Sequence, residues 1–186
     1  MEKKLYSTMK IPLKTKIAFL LTYKIALKKE NNRSIKLGLG GNKIRTIVYF
    51  LPEKERFSRA AIQYLKNLNR HNLEIKLICR LSVSELFNVS MNHPDIFISD
   101  KQLNRFGLPH PSTKYKMNQI VADAAVDLSP EFDPVHGILM QKINSRLKIG
   151  FDSQWSQKLY TITLTASNNQ YIDNQYHQIN QLLGIQ

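Results

Sequence analysis

The sequence has little cysteine and no long apolar run. Cys79 is the one cysteine among 186 residues, which excludes an internal disulfide and a metal site built from several cysteines. A lone cysteine next to apolar residues predicts a buried thiol, and the scarcity of cysteine indicates a reducing compartment. The longest apolar stretch, Ile17–Leu27, covers 11 residues and includes Lys24. A membrane-spanning helix needs about 20 apolar residues, so no span is predicted.

Acidic residues are scarce at the start of the chain. Residues 1–46 contain 12 Lys or Arg and only two acids, Glu2 and Glu30, whereas the whole chain carries 27 basic and 14 acidic residues and a net charge of +13. The remainder is therefore close to neutral. This asymmetry predicts a basic N-terminal arm, residues 1–44, that binds an anionic partner: acidic lipid, RNA or an acidic protein surface. The candidate anion-binding residues are Lys10, Lys14, Lys16, Lys24, Lys28, Lys29, Arg33 and Lys36.

The arm contains a helical pattern over Thr15–Glu30. Apolar residues recur there at helical spacing, which predicts an apolar stripe made of Ile17, Leu20, Leu21 and Leu27. One interpretation is a solvated cationic helix that docks this stripe on its own domain. The other is an electrostatic anchor, in which the lysines bind lipid or RNA phosphates.

From residue 45 onward, strand and helix patterns alternate. Predicted strands are Thr46–Leu51, Leu73–Cys79, Asp95–Ser99, Ala124–Leu128, Leu147–Gly150 and Tyr160–Thr165. Predicted helices are Phe57–Arg70, Val83–Val89, Lys114–Val121, Asp133–Asn144 and Tyr171–Leu183. This alternation predicts one α/β domain over residues 45–186, Rossmann-like, with three layers and a mostly parallel sheet. We expect this domain to fold without the arm.

The sequence shows neither a glycine motif for a dinucleotide cofactor nor a histidine spacing typical of a metal site. Gly38, Gly40 and Gly41 come before a strand, whereas a dinucleotide-binding glycine motif lies between a strand and a helix. No two histidines share the spacing of a metal site. We therefore predict no cofactor and no bound metal.

The chemically richest segment follows the predicted strand Ala124–Leu128. Asp127, Ser129, Asp133 and His136 place two carboxylates, a hydroxyl and an imidazole within ten residues, at the edge where open α/β sheets bind ligands. In a functional interpretation they bind ligand, with His136 as general acid or base and Asp127 as its orienting partner. In a structural interpretation Asp133 caps a helix that begins with Pro134, and Asp127 accepts hydrogen bonds from loop amides.

Several motifs follow one another as in a known half-enzyme. The strand-turn-helix Thr46–Leu68, the strand and loop Ala124–Pro134, the RLKIGF motif at Arg146–Phe151 and the closing helix at Tyr176–Ile185 resemble the N-terminal Rossmann-like half of heptosyltransferase-type glycosyltransferases. The resemblance implies a sugar-nucleotide enzyme half that needs a second, donor-binding half. The transferases carry a Gly-Asp pair after their first strand, and this chain has Pro52-Glu53-Lys54-Glu55 there instead.

A closer resemblance covers nearly the whole chain. The basic N-terminal helix, the LNRFG motif at Leu103–Gly107, the VDLS motif at Val126–Ser129 and the closing helix resemble a family of small Bacteroidetes-type proteins to which no activity is attached. That family implies the fold and leaves the activity open.

The leading functional hypothesis is a non-catalytic binding or adaptor domain. Its basic arm would attach it to a membrane surface or to RNA. It would be cytoplasmic, with peripheral attachment to the inner membrane face as one form of this hypothesis. The alternative is a glycosyltransferase-like half that acts with a second chain.

Overall fold

A parallel six-stranded sheet forms the centre of the molecule. The computed structural model describes residues 11–27, 44–87, 94–165 and 172–185, without the side chains of residues 23–27. The strands are β1 (Thr46–Phe50), β2 (Glu74–Arg80), β3 (Ile96–Ile98), β4 (Val121–Asp127), β5 (Asn144–Phe151) and β6 (Ile162–Leu164). Their spatial order is β3-β2-β1-β4-β5-β6, and every pairing is parallel. This is the strand order of doubly wound Rossmann-type sheets, so the predicted fold class is confirmed.

Helices cover both faces of this sheet. They are α1 (Leu13–Leu27), α2 (Glu55–Asn67), α3 (Pro111–Asn118), α4 (Pro134–Met140), α5 (Ser156–Leu159) and α6 (Ile172–Leu183). Helix α6 ends at Gly184, whose positive φ of 66° lets the Ile185 N–H bond to the Asn180 carbonyl, as in a Schellman motif.

The alternation of side chains along β1 divides the core into two layers. Tyr49 points into a cluster with residues of α2 and α6, such as Leu65 and Ile179. The next residue, Phe50, points into a cluster with residues of α3 and α4, such as Met117. Because both faces of the strand are buried, β1 consists almost entirely of large apolar residues.

Three predicted helices differ from the observed structure. The helix predicted at Asp133–Asn144 ends at Met140, because Asn144 already pairs in β5. The segment predicted as a helix at Val83–Val89 is a 3₁₀ turn over Leu81–Leu86, and residues 88–93 lie outside the described part. Helix α3 ends at Asn118 rather than at Val121, because the Val121 backbone already pairs with Asn144 in the sheet. Tertiary pairing overrides the local helical preference there.

Helix α1 packs against the α3 and α4 side of the domain. Phe19 is only 2% exposed, and its ring makes edge contacts with Phe132 and Trp155 at centroid distances of 5.4 and 5.6 Å. Thr15 is also buried, beside Gly107. The first part of the arm is thus attached to the domain through Thr15 and Phe19.

The predicted apolar stripe of the arm does not make this contact. Ile17 is 51% exposed and Leu21 is 61% exposed, whereas Leu20 is partly buried; Leu27 lies among the side chains outside the description. The helical spacing correctly predicted a helix. However, this helix has apolar residues on two sides, and Phe19 on the other side is the residue that packs on the domain. The aromatic ring has the larger apolar surface to bury, and a matching aromatic pair on the domain receives it. Within the described residues, no helix is long and apolar enough to cross a membrane.

Candidate functional site

The candidate site lies at the carboxyl ends of β1 and β4, the neighbouring strands at which the strand order reverses. From the centre of the sheet, β1 leads outward to β2 and β3, and β4 leads to β5 and β6 on the other side. Connections leaving β1 and β4 therefore diverge and leave a crevice, which is where open α/β sheets bind ligands. The predicted residues Asp127, Ser129, Asp133 and His136 all lie on or just after β4.

Asp127 is the centre of a buried hydrogen-bond network. One carboxylate oxygen, Oδ1, accepts from the Ser129 N–H at 3.0 Å and lies 3.0 Å from His136 Nδ1. The other oxygen, Oδ2, accepts from the Tyr160 hydroxyl at 2.8 Å. The side chain is 2% exposed, so these three groups replace the water that a carboxylate otherwise binds. Asp127 thereby ties the loop after β4 to α4 and to the start of β6.

His136 lies between two carboxylates and is completely buried. Its Nδ1 faces Asp127, and its Nε2 lies 3.6 Å from Asp133 Oδ2, which is too long for a hydrogen bond. Burial by itself lowers the pKa of His136, and the guanidinium of Arg80 lowers it further. The charges of Asp133 and Asp127 and the hydrogen bond to Asp127 outweigh both effects and raise this pKa to about 9. These interactions favour the protonated form of the imidazole.

Asp133 has a second role as the N-cap of α4. Its Oδ1 accepts from the Val135 N–H at 2.7 Å, and Pro134 occupies the first turn of the helix. Both features follow the structural interpretation of this segment. Ser129 Oγ completes the cluster at 3.2 Å from His136 Nδ1.

Tyrosines that the sequence analysis did not select complete the network. The ring of Tyr160 packs directly on Gly150 of β5, where a Cβ atom would lie 2.6 Å from Tyr160 Cδ2. The Tyr176 hydroxyl donates to the Leu128 carbonyl at 2.8 Å. Their positions depend on contacts across 33 and 48 residues of chain, which local sequence patterns do not contain.

An ion pair joins the loop after β1 to the loop after β4. Lys54 Nζ, on the loop after β1, lies 2.5 Å from Glu131 Oε2, on the loop after β4. Glu53, at the position where the transferases carry Gly-Asp, lies 3.6 Å from Arg80 Nε, and Asp100 pairs with the same guanidinium at 2.7 Å. Glu55 pairs with Arg59 on α2. These carboxylates neutralise nearby cations.

The network fixes the segment after β4 through several buried hydrogen bonds. Asp127 and His136 are 1% and 0% exposed, so neither side chain presents an exposed atom to a substrate in this conformation, and within the described residues His136 Nε2 is buried without a hydrogen-bond partner. General acid or base catalysis requires the catalytic group to reach the substrate proton directly or through one water. The structure brings the four predicted residues together, and the burial of these residues favours the structural interpretation.

Comparisons with known proteins add no homologue. No protein-family model, curated protein or solved structure matches the chain. The heptosyltransferase and Bacteroidetes-type resemblances remain expectations from the sequence, and the function is argued from the chain's own surfaces.

Few of the candidate anion-binding residues fall within the described part of the chain. Lys14 and Lys16 lie on α1, and both are exposed. Lys24 lies on α1 as well, with its side chain outside the description. The remaining candidates lie outside the described residues and are Lys10, Lys28, Lys29, Arg33 and Lys36.

The outer face of α1 is a second candidate site. It carries the outer stripe, which we define as Leu13, Ile17 and Leu21, with exposed fractions of 71%, 51% and 61%. These residues are four apart, so they share one side of the helix, opposite Thr15 and Phe19. Lys14 follows Leu13 and Lys16 precedes Ile17, and each residue turns the helix by about 100°, so the two lysines lie on opposite flanks of the stripe.

Proposed function

We propose that this protein is a non-catalytic α/β domain that attaches to an anionic membrane surface through α1. The outer stripe is the observation that carries this proposal. Three large apolar side chains project into solvent from a helix whose other side is already fixed to the domain by Phe19. Apolar residues lie on both sides of α1, and the inner side is packed on the domain, so the outer stripe with its two flanking lysines is the part of the helix that can enter the membrane interface.

Both parts of the α1 surface would contribute to membrane binding. Full burial of a Leu or Ile side chain stabilises by about 1.5–3 kcal/mol, and these three are half or more exposed before binding. Each lysine near an anionic lipid surface adds about 1 kcal/mol. The flanking positions of Lys14 and Lys16 let their ammonium groups reach lipid phosphates while the aliphatic stems stay beside the acyl chains.

The same surface is less suited to the other partners that the charge allows. RNA binding uses cations and stacking groups, and it gives no reason for three aliphatic side chains to face solvent. A second copy of the chain would bring the lysines of two α1 helices together, and α1 itself contains no acidic residue to pair with them. The buried state of Asp127 and His136 gives no support to the transferase alternative.

The proposal is tested by co-sedimentation of the full chain with vesicles. Vesicles of phosphatidylcholine with phosphatidylglycerol should bind the protein, and vesicles of phosphatidylcholine alone should bind it far more weakly. Ile17→Asp should weaken binding by about tenfold or more, since a lost burial of about 1.4 kcal/mol already corresponds to tenfold. The matched control is Val121→Asp, which changes a side chain of similar exposure at the amino end of the central strand β4, whereas Phe132, which contacts α1, follows the carboxyl end of that strand.

Two results would contradict membrane attachment. One is equal binding by Ile17→Asp and the unmodified chain, which would remove the role of the outer stripe. The other is strong, salt-sensitive binding to RNA without binding to anionic vesicles, which would assign the arm to RNA.

A further inference from the structure

Arg80 ends β2 with a charged side chain at a buried position. The three residues before it, Leu77, Ile78 and Cys79, are buried and apolar, and Arg80 itself is only 8% exposed. Side chains alternate along a strand, so Arg80 lies on the same face of the sheet as Ile78, the face covered by α3 and α4. As the last residue of a parallel strand, Arg80 lies at the carboxyl edge, where open α/β sheets bind ligands.

The protein gives this guanidinium few hydrogen bonds. Within the described part of the chain, Arg80 makes one, from Nη2 to Asp100 Oδ1 at 2.7 Å. Glu53 Oε1 lies 3.6 Å from Arg80 Nε, an ion-pair distance that is too long for a hydrogen bond. A guanidinium carries five N–H donors, and withdrawing a charge from water is costly unless hydrogen bonds replace its hydration. A purely structural role therefore does not explain why β2 ends in an arginine, since an apolar side chain would be buried there at lower cost.

The carboxylate that binds Arg80 is replaceable. The Asp100 side chain is 94% exposed, whereas the Arg80 side chain is 10% exposed. Asp100 begins the 3₁₀ turn Asp100–Gln102 after β3, and it approaches the guanidinium from the solvent side. An ion pair with such an exposed member contributes little stability, because the carboxylate regains its hydration when the pair separates. Asp100 thus shows that an oxyanion in solvent can reach Arg80, and that another anion can take its place.

We propose that Arg80 binds the phosphate group of a small soluble ligand in place of Asp100. This binding site is independent of the membrane attachment by α1. The planar donors of a guanidinium bind two phosphate oxygens at once, which gives Arg80 the hydrogen bonds that the protein itself does not supply. The recessed position of Arg80 favours a small soluble ligand over a lipid headgroup, because a side chain that is 10% exposed is reached by a small group and not by a bilayer surface.

The test measures the binding of inorganic phosphate to the full chain by isothermal titration calorimetry at constant ionic strength. Phosphate should bind the unmodified chain saturably. Asp100→Asn should strengthen this binding by about fivefold, because it removes the charge that competes for Arg80. The matched control is Glu74→Gln, which removes a carboxylate paired with Lys76 at the amino end of the same strand and should change the affinity by about twofold at most. Arg80→Lys should weaken binding by about tenfold, because it keeps the charge and loses the two-donor geometry.

Asp100→Asn decides the outcome even if Arg80→Lys fails to fold, because Asp100 is an exposed position. Equal phosphate affinity of Asp100→Asn and Glu74→Gln, or no saturable binding by any of these proteins, would overturn the site. Asp100→Asn and Glu74→Gln should bind vesicles of phosphatidylcholine and phosphatidylglycerol equally. Stronger vesicle binding by Asp100→Asn, without stronger phosphate binding, would assign Arg80 to a lipid headgroup and contradict the inference. Ile17→Asp should bind phosphate like the unmodified chain, so the two proposals fail separately.

Discussion

The Nδ1 atom of His136 lies 3.0 Å from Asp127 Oδ1, and both side chains are withdrawn from solvent. This pair connects the end of a central strand to the first turn of α4. Asp133, on the other side of the imidazole, caps the same helix. The buried imidazole therefore lies between the two ends of the loop that carries Glu131 and Phe132, the residues that contact Lys54 and α1.

Stability should decrease at alkaline pH because of His136. Its pKa in the folded protein is about 9, above the ordinary 6.5, so its charge stabilises the fold fully below about pH 6.5. As the pH rises through the folded pKa of about 9, this contribution is lost. Denaturation midpoints measured across this range should fall.

The His136→Gln variant provides the reference for this pH dependence. It leaves Asp127 and Asp133 without their cation, and removing one partner of a buried ion pair costs about 3–5 kcal/mol. Its unfolding free energy should be lower at neutral pH, with a smaller loss between about pH 6.5 and 9 than the unmodified chain shows. Parallel pH profiles of the two proteins would show that His136 is neutral in the fold.

Gly150→Ala should destabilise the domain by displacing Tyr160. The added Cβ would lie 2.6 Å from Tyr160 Cδ2, and overpacking of this kind costs about 1–3 kcal/mol. Tyr160→Phe keeps the ring and removes only the donor to Asp127 Oδ2, at a cost of about 1–3 kcal/mol for the unsatisfied acceptor. Both values are measured by chemical denaturation. Adding Gly150→Ala to Tyr160→Phe should cost less than the sum, because the same hydrogen bond is lost in both.

Phe19→Ala should detach α1 from the domain. Trp155 is the one tryptophan of the chain, and the Phe19 ring covers part of it, so its fluorescence should shift towards the red when the contact is lost. Leu21→Ala, at an exposed position of the same helix, is the control and should leave the emission unchanged. An unchanged spectrum for Phe19→Ala, with α1 still protected from proteolysis, would show that the remaining contacts hold the helix.

Binding to anionic surfaces should weaken steeply with salt. Exposed charges are screened beyond about 8 Å at physiological ionic strength, and the arm holds most of the net charge. Lys16→Glu, next to the outer stripe, should weaken binding to anionic vesicles by about tenfold, whereas Lys66→Glu should have little effect. Changing Lys24, Lys28 and Lys29 together to Glu should reduce binding to anionic vesicles further. Vesicle affinity that is the same at low and high salt would contradict an electrostatic contribution from the arm.

The fold was predictable because its signals are local. Strands such as β1 are continuous apolar runs, and the segment Asp133-Pro134 has the composition of a helix start. The prediction failed where two assignments competed for the same residues. Val121 fits a helical pattern, yet the sheet gains more from its backbone pairing with Asn144.

The candidate site was only partly predictable from the sequence. Asp127, Ser129, Asp133 and His136 lie close in the chain, so a local reading could group them. Tyr160 reaches the same carboxylate only because β5 and β6 are neighbours and Gly150 leaves room for its ring. The spacing of residues along the sequence does not indicate that Tyr160 contacts Asp127.

The sequence by itself determined the class of fold, the basic composition of residues 1–46 and the helical character of α1, since strand and helix periodicities and charge are properties of short segments. The tertiary structure decided which side of α1 is buried. The helix offers an aliphatic stripe and a side carrying Phe19, and only the aromatic pair of Phe132 and Trp155, brought together from separate loops, selects the second. That selection leaves Leu13, Ile17 and Leu21 in solvent, because the side of a helix that faces away from the domain is not covered by it.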